Sequence, residues 1–165
     1  MNVKPPRATL WKSMKSGLRS DSGDIGPWKV GEWRIHPGKL EICRSGFHAS
    51  ENVIHSMRYV WAEVIAKVEV RGEHLEQDDK QVWSEMRIAQ AWTWTAEDSV
   101  SLAVYAVELG IGEYEKCHPN YAGVTAWAAA SKDIVDKCHA FVLARLATKG
   151  IPVEEEENWH ERAAL

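Results

Sequence analysis

The sequence predicts an α+β protein: a small mixed β-sheet with one crossing helix, followed by a C-terminal antiparallel helical hairpin. Three observations carry this. Apolar residues alternate with period two through "AEVIAKVEVRG" and "VWSEMRIAQAW", as half-buried strands require. From Thr95 onward the pattern turns helical and stays so. A break at His118-Pro119-Asn120 divides that helical part in two. At 165 residues the chain is about one domain long. We read 1–150 as a single α+β domain, its sheet part at about 10–94 and its helical part at about 95–150, with 151–165 an acidic tail.

Taken in order, "TLWKSM" makes a short strand, and "SGLRSDSGDIGP" (16–27) is a Gly-, Ser- and Asp-rich loop. "WKVGEWRI" (28–35) is aromatic and β-branched enough for a strand, and His36-Pro37-Gly38 turns the chain. "KLEICRSGF" is a further extended segment ending at about Phe47. A helix then starts at Ser50, a suitable N-cap, with Val53, Ile54, Met57, Val60 and Trp61 at helical spacing. In the next strand Val64, Ala66, Val68 and Val70 face one way, and Glu63, Lys67, Glu69 and Arg71 the other. "GEHLEQDDKQ" is a polar loop. The strand after it puts Val82, Met86 and Ile88 opposite Trp83, Glu85 and Arg87. "TAEDSVSLAVYAVELGI" opens on a capping-box variant, Thr95 with Asp98, and its nearly all-round apolar character predicts a buried helix. The second long helix runs from about Ala122 to Thr148, stopped by Gly150 and Pro152.

The formal net charge of -4 and the lack of a basic stripe argue against a nucleic-acid binder. Met1 to Leu10 contains no apolar core of a signal peptide, and no apolar run approaches the ~20 residues that span a bilayer, so the expectation is a soluble, cytoplasmic protein without a membrane partner. Three cysteines, Cys43, Cys117 and Cys138, form no even framework and are read as reduced thiols. Nine tryptophans suit either a stacking cleft or a compact core.

The chemistry concentrates in "CRSGFHAS", residues 43–50. A strand that closes at Phe47 and a helix that starts at Ser50 place His48 at a strand-to-helix junction, where exposed N–H groups favour anions. Gly46 lets the backbone approach a ligand closely. On this reading the stretch holds a phosphate or nucleotide, with His48 as a donor; on the other, Gly46 is a turn residue and His48 caps or packs. Cys43 with His48 suggests a nucleophile and base, but five residues of extended chain set them about 16 Å apart. The Cys117-His118 and Cys138-His139 doublets match no metal-ligand spacing, so no metal is expected.

"CRSGFHAS", "YVWAEVIAKVEVRGE" and "DKQVWSEMRIAQAWTWTAEDSVSLAVYAVEL" together resemble an uncharacterised domain family common in bacteriophage and prophage genomes, marked by Cys-x-x-Gly-Phe-His-Ala, over about residues 10–115. The resemblance implies a phage-related origin rather than a particular reaction. A remoter similarity is to ADP-ribosyltransferases. "GFHAS" resembles their second conserved strand and "SEMRI", with Glu85, their third, while Lys12 stands where those enzymes carry Arg or His. That similarity implies Glu85 as the catalytic residue, stabilising a ribosyl transition state, with Gly46, His48, Ser50, Arg44 and Lys12 holding NAD or another nucleotide.

Two functions are therefore expected. The first is a phage-type binding or inhibitory module that acts on a host protein and needs no cofactor, its aromatic residues supplying an interface. The alternative is an ADP-ribosyltransferase-like or nucleotide-binding enzyme, with its cleft between the Gly-Phe-His-Ala junction and the Glu85 strand. A virion or assembly component is a third, structural, reading.

Overall fold

A computed structural model describes residues 9–22, 26–117 and 124–149, with side chains described outside 113–117 and 124–130. The elements run β1 (Leu10–Met14), β2 (Arg34–Ile35), β3 (Phe47–Ala49), α1 (Val53–Met57), β4 (Val64–Gln77), β5 (Lys80–Thr93), α2 (Ala96–Cys117) and α3 (Val124–Thr148). The α+β class holds. The chain divides into two compact units, with the boundary between Thr93 and Trp94.

The first unit is built on the β4–β5 hairpin, whose strands are 14 residues each. β1 pairs with the outer edge of β4, and β2 and β3 pair with the outer edge of β5. Every pair of named strands is antiparallel; the parallel contact is the bridge Val30–Ile88. Trp11 of β1 then exchanges two backbone hydrogen bonds with Ser50, just beyond β3, at 2.8 and 2.9 Å. That bridge closes the path β1–β4–β5–β3 back upon β1. Leu10, Met14, Phe47, Val64, Val68, Met86 and Ile88 are among the buried residues inside, joined by Trp28, which sets its ring edge-on to Phe47 at 5.1 Å.

Four expectations need correction. Only Arg34–Ile35 of the 28–35 segment is strand, because Gly31 takes a left-handed φ of 83° and Trp28 is drawn into the core. The supposed polar loop at 72–81 is strand nearly throughout, with Asp78 and Asp79 at its tip. It is held by cross-strand pairs such as His74, stacked on Trp83 at 4.1 Å. The helix does not start at Ser50 or reach Trp61. Ser50 is buried in the strand bridge, α1 covers five residues with Asn52 as its cap, and Trp61 is 70% exposed. Phe47 opens β3 rather than closing a strand.

The second unit is the helical pair. Its capping box forms as expected: Asp98 accepts from the Thr95 N–H at 2.8 Å, and Thr95 Oγ1 accepts from the Asp98 N–H at 3.2 Å. Asp98, at the start of α2, also pairs with Arg145 and Lys149 at the end of the α3 segment, so the two helices run antiparallel. Tyr105 and Phe141 stack between them at 4.7 Å. The expected all-round burial of α2 does not occur. Val100, Val104, Val107 and Ile111 are all more than half exposed. Among the described residues, no helix is long and apolar enough to cross a membrane.

Candidate functional site

β1 reads Leu10-Trp11-Lys12-Ser13-Met14, and its alternation sets Lys12 on the same face as the core residues Leu10 and Met14. Its cross-strand partner is the small, buried Ala66, which leaves room for the long side chain. Lys12 Nζ donates to the His48 carbonyl oxygen at 3.2 Å. Among the described residues no carboxylate lies within ion-pair distance of it. Burial without a counter-charge lowers its pKa from the usual lysine value to about 8.

The stretch before β3 is a tight turn, not extended chain. Glu41 and Ser45 exchange backbone hydrogen bonds at 2.9 and 3.0 Å, and Cys43 sits left-handed at φ 65°. The turn brings Cys43 back over β3, where its N–H donates to His48 Nε2 at 2.9 Å. The 16 Å separation expected for extended chain is thus overturned. Gly46 follows at φ 109°, and a Cβ there would lie 2.5 Å from Val82 and 2.7 Å from Leu40, so only glycine fits. Because Nε2 accepts a hydrogen bond, the ring is held neutral. Burial lowers the His48 pKa, the Lys12 and Lys80 charges lower it further, and a backbone hydrogen bond with Gly46 opposes them.

Lys80 arrives from the start of β5. His48 pairs with Val82, so Lys80, two residues earlier, shares that face. Its Nζ donates to Cys43 Sγ at 2.8 Å and lies 4.0 Å from the centre of the Tyr59 ring. The bond to sulfur is the main reason Lys80 holds its proton more tightly than an ordinary lysine. Tyr59 is fixed in turn by Asp79, which accepts from its hydroxyl at 2.6 Å. Further round, His36 and Ser45 share a hydrogen bond of 2.8 Å, and so do the buried Ser13 and Ser56 hydroxyls.

These groups line one cavity of about 560 Å³. Among the described residues its lining cations are Lys12, Arg44 and Lys80 and its lining carboxylate is Asp21, a positive balance within a chain of net charge -4. The cavity is therefore suited to a small anion. Among the described residues no three His, Cys, Asp or Glu side chains converge as metal donors would.

Of the residues expected from sequence, Gly46, His48, Ser50, Arg44 and Lys12 all line this cavity. Glu85 does not. It lies three positions along β5 from the partner of His48, an odd offset that turns a side chain to the other face of a strand. There Arg71 donates to it at 2.6 Å, and Arg71 itself covers Trp33 at 4.0 Å. The positive end of a helix contributes little, since α1 has a single turn and its Ile54 N–H is taken by Asn52. Sequence reasoning missed Lys80 and Tyr59. The parity of β5, carried back from Val82 into "DDKQ", could have found Lys80 had that segment not been read as a loop.

A family model matches residues 8–98, the whole span that supplies the cavity lining. The chain belongs to DUF7666, a domain family of unknown function. The DUF7666 match extends from the residues before β1 into the first turn of α2, so it takes in both strands of the long hairpin. Searches of curated proteins and of solved structures found no match.

Proposed function

We propose that the DUF7666 unit binds a small phosphate-bearing molecule, of nucleotide size, in the cavity between β1, the 41–46 turn and the start of β5. One observation carries this reading: Lys12 occupies a core-facing position, half-buried, with no carboxylate beside it among the described residues. An uncompensated buried cation is destabilising unless a ligand uses it. Arg44 and Lys80 add charge, the Ser13, Ser45 and Ser50 side chains add hydroxyls, and Trp11 adds an aromatic wall. The volume falls within the usual range of small-molecule sites, roughly 300–1,000 Å³. Nucleotides, NAD among them, meet these requirements. Glu85 plays no part in this reading, so it is a binding function rather than ADP-ribosyl transfer.

The test is a thermal-shift and calorimetric titration with ATP, NAD and inorganic phosphate, repeated on Lys12→Met and Lys80→Met. Saturable stabilisation of the native protein, lost in both variants, is the expected result. No response to any of the three would remove the proposal.

A second reading, a phage-type module that binds a host protein, is favoured by a separate observation. Val100, Val104, Val107 and Ile111 make an exposed apolar row on α2, spaced four, three and four residues apart. Val107→Glu should then abolish capture of the partner while leaving the fold intact.

A further inference from the structure

We propose that Lys12 is a nucleophilic amine, forming a reversible imine with an aldehyde or ketone carbonyl on the anionic molecule that the cavity holds. The inference rests on the anion-binding reading and adds a covalent step to it. The two cavity lysines differ in kind. Lys80 is committed to Cys43 Sγ and the Tyr59 face, which makes it a fixed positive charge. Among the described residues Lys12 Nζ has one hydrogen bond, to the His48 carbonyl, that orients the amine without neutralising it. Lys12 lines the cavity and is not fully buried. Desolvated lysines near another cation are the usual amine nucleophiles of proteins.

The burial described above supports the same assignment. With a pKa of about 8, on the order of a tenth of Lys12 is neutral at pH 7, against less than a thousandth of an ordinary lysine. In the step itself, the nitrogen lone pair bonds to the carbonyl carbon and the C=O π pair moves to oxygen, which takes up a proton. The nitrogen gives up a proton, forming a carbinolamine. The hydroxyl then takes up a second proton and leaves as water as the nitrogen lone pair forms C=N, and the nitrogen's remaining proton is released. One amine and one carbonyl yield one imine and one water, with no oxidant or reductant. The Lys80 ammonium and the Arg44 guanidinium are the groups that would hold the anionic part of the molecule.

Pyridoxal 5′-phosphate, an aldehyde that carries a phosphate, is the probe, with phosphate-free pyridoxal as its control. The full chain is incubated at pH 7–8, reduced with borohydride and peptide-mapped. Lys12 should carry the adduct on the order of a hundredfold ahead of the exposed lysines, Lys29 and Lys39 among them, following its larger neutral fraction. Inorganic phosphate should compete, pyridoxal should label less, and Lys12→Arg should fold yet lose the adduct. Uniform labelling unaffected by Lys12→Arg would overturn the imine. If inorganic phosphate stabilises the protein but Lys12 stays unlabelled, the imine falls and the anion site stands. If neither occurs, both fall.

Discussion

The backbone N–H of Cys43 donates to Nε2 of His48 at 2.9 Å, five residues along the chain. This bond converts "CRSGFHAS" from a stretch of chain into one wall of a cavity. The left-handed Cys43 reverses the chain, Gly46 lets it pass close to Val82, and the neutral imidazole fastens the turn to β3. His48 is therefore a positioning residue, acting through the turn that carries Cys43 and Arg44.

His48→Asn should cost about 1 kcal/mol, the scale of one hydrogen bond lost. The pH dependence gives a sharper test. The groups facing the ring are Lys12 on β1, Lys80 on β5 and the backbone of Gly46. They and burial depress the folded pKa, so the unfolded chain binds the proton more readily. The stabilisation is complete above about pH 6.5 and is lost as pH falls through the depressed value. Denaturant midpoints from pH 8 to pH 4 should show the advantage of wild type over His48→Asn shrinking as the pH falls. A constant difference would mean that the ring carries no such shift.

Lys12→Met should stabilise the protein by about 1–3 kcal/mol at pH 7, since it replaces a desolvated cation, with no counter-charge among the described residues, by an apolar chain of similar length. Here too the unfolded state holds the proton more tightly, because the folded pKa is about 8 against 10.5 in free chain. Wild type should therefore gain on the variant as pH rises from 8 toward 10.5. Urea unfolding at three pH values would show it. Ligand binding should move the opposite way, as is common where stability and function compete.

Gly46→Ala should destabilise by roughly 2–3 kcal/mol, through left-handed strain and the clash with Val82 and Leu40. Gly26 is also left-handed, at φ 68°, but a Cβ added there would meet nothing within 4 Å among the described residues, so Gly26→Ala should cost only about 1 kcal/mol. Equal effects at the two sites would mean that packing at the turn is loose.

Asp98→Asn tests the helical unit. Burial works against its charge, yet Lys149, the Thr95 N–H and Arg145 outweigh it and hold the carboxyl at about 2. The substitution should cost about 2–3 kcal/mol, less than a fully buried pair because Arg145 and Lys149 keep some contact with water. A depressed acid stabilises above its unfolded value near 4, so the wild-type advantage should disappear as pH falls from about 4 to 2.

Val104→Asp, by contrast, should change stability by less than about 0.5 kcal/mol. Read from sequence alone, this substitution buries an unpaired charge and unfolds the protein; Val104 is instead 52% exposed. Thermal unfolding of the variant decides between the two.

The sequence by itself determined the elements whose signal is local. The period-two alternation around Val64–Val70 and Val82–Ile88 is β4 and β5, and Thr95 with Asp98 is the capping box that opens α2. Five cavity residues were also named from the sequence, Gly46 and its neighbours because they form one motif and Lys12 because it stands where a resembling family carries Arg or His. Tertiary structure decided everything that depended on long-range pairing. Hairpin pairing made strand of the polar residues 73–77, whose own propensities favour a loop, since a partner strand satisfies their backbone hydrogen bonds. Pairing with Trp11 took Ser50 from the helix it was expected to cap. Lys80 and Glu85 stand on the same strand, and only register distinguishes them: two residues from Val82 returns a side chain to the face of His48, and three turns it away.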